Sequence, residues 1–190
     1  MNRNLENQIK EHIELANFTL NFQIPKIIEI ARVISNSLYN KRKILLFGNG
    51  GSAADAQHIA AEFTGRFVRE RRGLAAIALT TDTSALTAIG NDYGFENIFE
   101  RQIQALAQKG DILIGISTSG NSNNVIKGIQ YGNTIGCETI SLTGKNGGNL
   151  INISNYNINI ETNVTARVQE MHIMIGHLIC SIIDEEEGLI

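Results

Sequence analysis

Residues 44–62 read ILLFGNGGSAADAQHIAAE, and two kinds of chemistry are packed into that stretch. Gly48, Gly50 and Gly51 follow an apolar run and precede an alanine-rich segment. Glycines at such a junction let backbone N–H groups approach a ligand with no Cβ in the way. A helix starting there aims its positive end at the same point, and Ser52 is expected to cap it. Further along, His58 and Glu62 stand at i, i+4, on one helix face. That spacing suits two ligands of a Zn²⁺-type ion or a pair that moves a proton. A bare His–Glu pair is commonly just solvated. The small apolar residues around this one point it toward a cavity.

A second loop, GISTSGNS over 115–122, offers the hydroxyls of Ser117, Thr118, Ser119 and Ser122, with Gly120 allowing a bend. Hydroxyls and free N–H groups at a helix N-terminus can hold a phosphomonoester without Lys or Arg. No P-loop lysine follows, which argues against nucleoside triphosphate hydrolysis. The glycine loop also fits Gly48-x-Gly50-x-x-Ala53, a weak match to the dinucleotide fingerprint, with Asp82 placed too far along for its acidic partner.

The other histidines are His12, read as surface or interface, and His172 and His177 near the chain's end, beside Gln169 and Glu170. Gln169 and His177 lie ~12 Å apart along a helix and ~80° around it. They share one ion only if their side chains reach toward each other. Otherwise one belongs to a neighbouring subunit's site, and an oligomer with interfacial active sites is expected.

These residues need elements to position them. Five short runs, 44–47, 74–79, 112–116, 139–142 and 156–160, are apolar on both faces and alternate with helical patterns. Such runs are buried parallel strands in β-α-β units. The expected fold is α/β: a three-layer αβα sandwich around a five-stranded parallel sheet. Both loops then lie at the carboxyl ends of strands, where open α/β sheets bind ligands. Helical spacing over 4–21 and 26–39, with Pro25 at the start of the second segment, predicts an N-terminal helical hairpin with wide apolar faces. A last helix is expected over about 163–187, ending in a solvated acidic run, Asp184–Glu187. Residues 1–190 read as a single domain, with 1–40 the hairpin and 41–190 the core.

A net charge of −3 gives no reason to expect nucleic-acid binding. No apolar run is long enough to span a membrane, and the polar start lacks a signal-peptide core. Cys137 and Cys180 form no C-x-x-C pair and read as reduced buried thiols of a cytoplasmic protein.

Taken together, the 44–62 stretch, NDYGF over 91–95, ISTSGNS over 116–122, SLTGK over 141–145 and TARVQEMH over 165–172 with His177 resemble the phosphoheptose isomerases. These belong to the sugar isomerase (SIS) family, whose fold is flavodoxin-like. The resemblance runs over about residues 1–187. It implies a cytoplasmic homotetrameric zinc enzyme that converts sedoheptulose 7-phosphate into D-glycero-D-manno-heptose 7-phosphate, the first step toward ADP-heptose for lipopolysaccharide or related glycans. It implies Zn²⁺ ligands His58, Glu62, Gln169 and His177. It places substrate contacts at Asn49, Gly50, Gly51, Ser52, Glu62, Asn91, Asp92, Ser117, Thr118, Ser119, Ser122 and Gln169. Asn91 and Asp92 also fit a plain Asx turn. The charged loop Arg69–Arg72 has no assigned role and reads as a solvated lid edge.

Aldose–ketose exchange needs a base at carbon and stabilisation of an enediolate. Glu62 is the expected base and His177 its partner at oxygen. Two alternatives remain: a non-catalytic SIS regulator that senses a sugar phosphate or associates with a replication initiator, which need not keep the proton-transfer residues, and an amino-sugar phosphate isomerase, which could share the phosphate loop but would not call for this four-residue polar set.

Overall fold

The structure is a computed structural model and describes residues 2–186. Five parallel strands form one sheet: β1 (Ile44–Gly48), β2 (Ala76–Ala78), β3 (Ile112–Ser117), β4 (Glu138–Gly144) and β5 (Tyr156–Ile160). Their order is β2-β1-β3-β4-β5, the doubly wound arrangement expected. The registers Ile44↔Ile112 and Ile112↔Glu138 align the three central strands, so β1 and β3 end side by side at Gly48 and Ile116. Every residue of β1 and β3 is buried, which is why these strands lack polar alternation.

Helices cover both faces. On one side α2 (Ile24–Tyr39), α3 (Gly51–Thr64) and α8 (Thr165–Ile183) pack Ile30, Ile34, Phe63, Met171 and Ile175 against the strands. On the other, α4 (Thr83–Tyr93), α5 (Ile98–Leu106), α6 (Asn123–Thr134) and α7 (Leu150–Ile153) enclose Phe47, Phe99, Ile103 and Ile129. Burying each such side chain stabilises the fold by about 1.5–3 kcal/mol. The chain changes face between β1 and β3, so a crevice opens between their carboxyl ends.

The N-terminal hairpin does not form. Helix α1 (Asn2–Phe18) runs through a π-helical turn, Thr19–Gln23, directly into α2, and the residues at both junctions keep right-handed helical angles. Pro25 falls in the first turn of α2, as expected. The wider π turn just before it absorbs the missing N–H and the ring's bulk, so the helix continues where a break was expected. Its two halves differ sharply. Helix α2 buries Ile27, Ile30, Ala31, Ile34 and Leu38, whereas Leu5, Ile9 and Ile13 of α1 are more than half exposed.

The last helix stops at Ile183, and Asp184 beyond it is buried rather than solvated, another departure from expectation. Glu187, the end of that acidic run, lies outside the described residues. Cys137 and Cys180 are free and buried, as expected.

Candidate active site

Helices α3 and α8 run parallel, both starting at the carboxyl edge of the sheet, and their facing stripes build the site. A Cβ on Gly51 would overlap the Gln169 amide, and one on Gly176 would meet Ile59 at 2.5 Å. The two glycines therefore let the helices close. About two turns beyond Gly51 on α3, His58 Nε2 lies 2.9 Å from His177 Nε2 and 3.3 Å from Glu62 Oε1. The ligand atoms of His58, Glu62 and His177 all fall within 4.8 Å of one another, a group able to hold a metal ion. All three side chains come from one chain. Gln169 lies further up the same groove, beside Gly51. Cys180 sits behind Glu62: burial first, and that carboxylate second, push its thiol up to about 12. Asp55, one turn before His58, was missed by sequence reasoning. Burial raises its carboxyl above the ordinary value, with His58 pulling the other way, and its Oδ2 has no partner among the described residues.

The glycine loop opens α3, about two turns before His58. Gly50 takes φ +57°, a left-handed angle that glycine adopts freely, and it caps α3. Ser52 is buried inside the first turn and makes no side-chain cap; the N-cap position is Gly50, and no side chain caps α3. Asn49 reaches across the crevice. Its amide exchanges two hydrogen bonds, 2.9 and 2.8 Å, with the amide of buried Asn124 at the start of α6. Asn124 was not foreseen, because a lone Asn after a serine-rich loop carries no distinguishing signal.

In the serine loop, the hydroxyls of Ser117 and Ser122 lie 2.8 Å apart and that of Ser119 stands 3.4 Å from Ser117. Ser122 is the N-cap position of α6, yet its hydroxyl turns to Ser117 instead of the helix. Thr118, Ser119 and Ser122 are half-buried. Gly120 takes φ +66° and lies directly against the Gly147 backbone. The Leu150 and Asn149 amides donate to Gly120 O and Asn121 Oδ1 and brace the bend. The paired glycines 147 and 148 were the available sign of this second turn.

Not all expected residues gather here. Asn91 donates to Asp92 at 2.8 Å, and both are exposed on α4, with no hydrogen bond to either loop. Asp82 is the N-cap of α4, accepting from the Ala85 amide, so it is occupied by a structural task. His172 is fully buried and donates from Nε2 to the Thr143 carbonyl, and Glu170 pairs with His12 and Arg167. Neither joins the group around Glu62. Arg71 is buried, so the loop Arg69–Arg72 is not simply a solvated edge.

The arrangement has three parts: a glycine turn and a hydroxyl-lined helix start at the carboxyl ends of β1 and β3, and an imidazole–carboxylate–imidazole group about two to three turns down α3. It can hold a phosphate at one end and move protons at the other. Comparisons with known proteins agree. The family model described as SIS domain matches residues 9–144. A probable phosphoheptose isomerase of Thermoplasma acidophilum is 53% identical over 173 residues, 91% of this chain and 95% of that protein. The phosphoheptose isomerase of Helicobacter hepaticus is 53% identical over 186 residues, 97% of this chain and 93% of its own length. The solved phosphoheptose isomerase of Neisseria gonorrhoeae superposes with a TM-score of 0.92 at 43% identity, covering 97% of this chain and 99% of that one. With fold, crevice and sequence in agreement over most of its length, the chain belongs to the SIS domain family and, within it, to the phosphoheptose isomerases, which are aldose–ketose isomerases.

Proposed function

We propose that the chain converts sedoheptulose 7-phosphate into D-glycero-D-manno-heptose 7-phosphate, feeding ADP-heptose synthesis for lipopolysaccharide or a related glycan. The observation that carries this reading is the convergence of Glu62 and His177 on two helices that start at the sheet edge bearing the serine loop. A phosphate held by Ser117, Thr118, Ser119, Ser122 and the nearby amides fixes the far end of the sugar. That binding energy is converted into orientation at C1 and C2. Glu62 takes the proton from C1 of the ketose and returns one to C2. His177 exchanges the proton between the two oxygens. Asn49 and the Gly50–Gly51 turn line the sugar's path, with Gln169 opposite. A non-catalytic sugar-phosphate sensor would not need that paired carboxylate and imidazole.

A zinc ion fits the donor set. His58, Glu62 and His177 supply two nitrogens and a carboxylate oxygen within 4.8 Å, the donor types zinc prefers, and Gln169 is the fourth candidate. When bound, zinc supplies Lewis-acid polarisation of the substrate carbonyl.

The protein works as a homo-oligomer, a tetramer by family likeness, in the cytoplasm, with residues 1–190 forming one SIS domain. The exposed stripe Leu5, Ile9, Ile13, Leu20 and Phe22 supports self-association. Asn91 and Asp92 are exposed on a helix with no buried residue, which supports a role for them in a neighbouring copy's site. No helix among the described residues is long and apolar enough to cross a membrane.

The test is isomerisation of sedoheptulose 7-phosphate in D₂O. Deuterium appears at C2 of the aldose if the reading holds. A purified, metal-loaded protein that leaves the ketose unchanged refutes it.

A further inference from the structure

The segment 65–73 carries a buried ion pair that the chemistry above does not use. Arg71 and Asp184 have side chains only 1% and 3% exposed, and Arg71 Nε donates to Asp184 Oδ1 at 2.7 Å. The rest of the guanidinium grips the end of α3: Nη1 donates to Phe63 O and Nη2 to Glu62 O, both at 2.9 Å. Asp184 directly follows α8, and its Oδ2 accepts the backbone amides of Val68 and Arg69 at 2.8 and 3.0 Å. One pair thus ties together the ends of the two helices that present Glu62 and His177. The residue next to the gripped amides, Phe67, lays its ring on the His177 imidazole, with centroids 5.4 Å apart and planes 26° apart.

We propose that Arg71 and Asp184 are positioning residues for proton transfer, acting through the Glu62 backbone and through Phe67, whose ring restricts rotation of His177. Burying two charges is weak evidence for stability, since an apolar pair of similar volume often does as well. What this pair offers is direction. Its hydrogen bonds to Glu62, Phe63, Val68 and Arg69 specify where the loop sits on both helices. Burial alone pushes the Asp184 carboxyl up, yet the Val68 amide, the Arg71 guanidinium and the Arg69 amide outweigh it and hold the group below its ordinary value. It therefore stays charged at neutral pH. Arg71 touches neither the serine loop nor the glycine turn, so substrate binding is left alone. This inference rests on reading Glu62 and His177 as the proton-transfer pair.

The experiment follows the ring-current shift that Phe67 imposes on the His177 ring protons, by ¹H–¹³C NMR of histidine-labelled, metal-free full-length protein, together with steady-state kinetics on the zinc-loaded enzyme. Phe67→Leu abolishes the shift and assigns the signal. Arg71→Lys and Asp184→Asn are expected to shrink it and to lower kcat about 10- to 100-fold with KM within about threefold. Folded variants with an unchanged His177 shift and unchanged kcat overturn the proposal. So does activity that falls only in step with the unfolded fraction. If neither clamp variant folds, Phe67→Leu decides: it leaves the ion pair intact, and normal kcat in it overturns the proposal. Glu62→Gln keeps the two ideas separate. If it retains turnover, the site reading fails, while the NMR shift still reports whether the clamp sets His177.

Discussion

His58 Nε2 and His177 Nε2 face each other at 2.9 Å, although 119 residues separate them in the chain. Two imidazole nitrogens converge this way, with the Glu62 carboxylate alongside, where a cation can take the place of the hydrogen bond between them. We expect purified protein to carry about one zinc per chain, and His58→Ala or His177→Ala to carry almost none. Elemental analysis checks this. Full-length wild-type protein that takes up no zinc after reconstitution sinks the metal assignment.

Glu62→Gln removes the base but leaves the shape. Turnover should fall by about 10² to 10⁴, and deuterium incorporation at C2 should fall with it. A carboxylate that also holds a cation is a weaker base, so zinc content must be measured on the same sample. If zinc is retained while exchange is lost, the proton-transfer role is separated from the ligand role.

Ser119→Ala combined with Thr118→Ala should act on binding. Each hydrogen bond to a charged phosphate contributes about 1.5–3 kcal/mol, so KM should rise at least tenfold while kcat changes less. Inorganic phosphate, tested as a competitive inhibitor, should weaken in parallel. A drop confined to kcat contradicts the phosphate assignment.

Asn124→Ala unpairs Asn49 and frees the glycine loop from the serine loop. Losing the two hydrogen bonds to half-buried Asn49 costs about 0.5–1.5 kcal/mol each, measurable by urea denaturation. Because both loops flank the crevice, kcat/KM should fall as well. Normal kinetics in a destabilised protein would show that the pair serves only the fold.

His172 makes stability depend on pH. Burial lowers its imidazole from 6.5 to about 4, against a smaller opposite effect of its hydrogen bond to Thr143. The unfolded chain binds the proton first as pH falls, so stability is full above pH 6.5 and is lost on the way down to 4. The loss from this group is about 3 kcal/mol. Thermal melts between pH 7.5 and 4.5 should show the slope, and His172→Gln, which can still donate to Thr143, should flatten it.

Periodicity and residue type by themselves determined the sheet, its five strands and the position of both loops. Buried parallel strands are continuous apolar runs, and glycine and serine clusters mark where such strands end. They also determined that His58 and Glu62 share a helix face, since that follows from a spacing of four. They did not determine that Pro25 lies in a continuing helix, because a π turn has no residue signature. Nor could they tell that Arg71 and Asp184, read as solvated charges, meet in the interior. Only the tertiary structure decided which distant groups face one another: His58 with His177, Asn49 with Asn124, Phe67 with His177. The physical reason is that local pattern sets which face of an element is apolar. The pairing of polar groups between elements depends on how closely two backbones approach, and here Gly51 and Gly176 allow α3 and α8 to close.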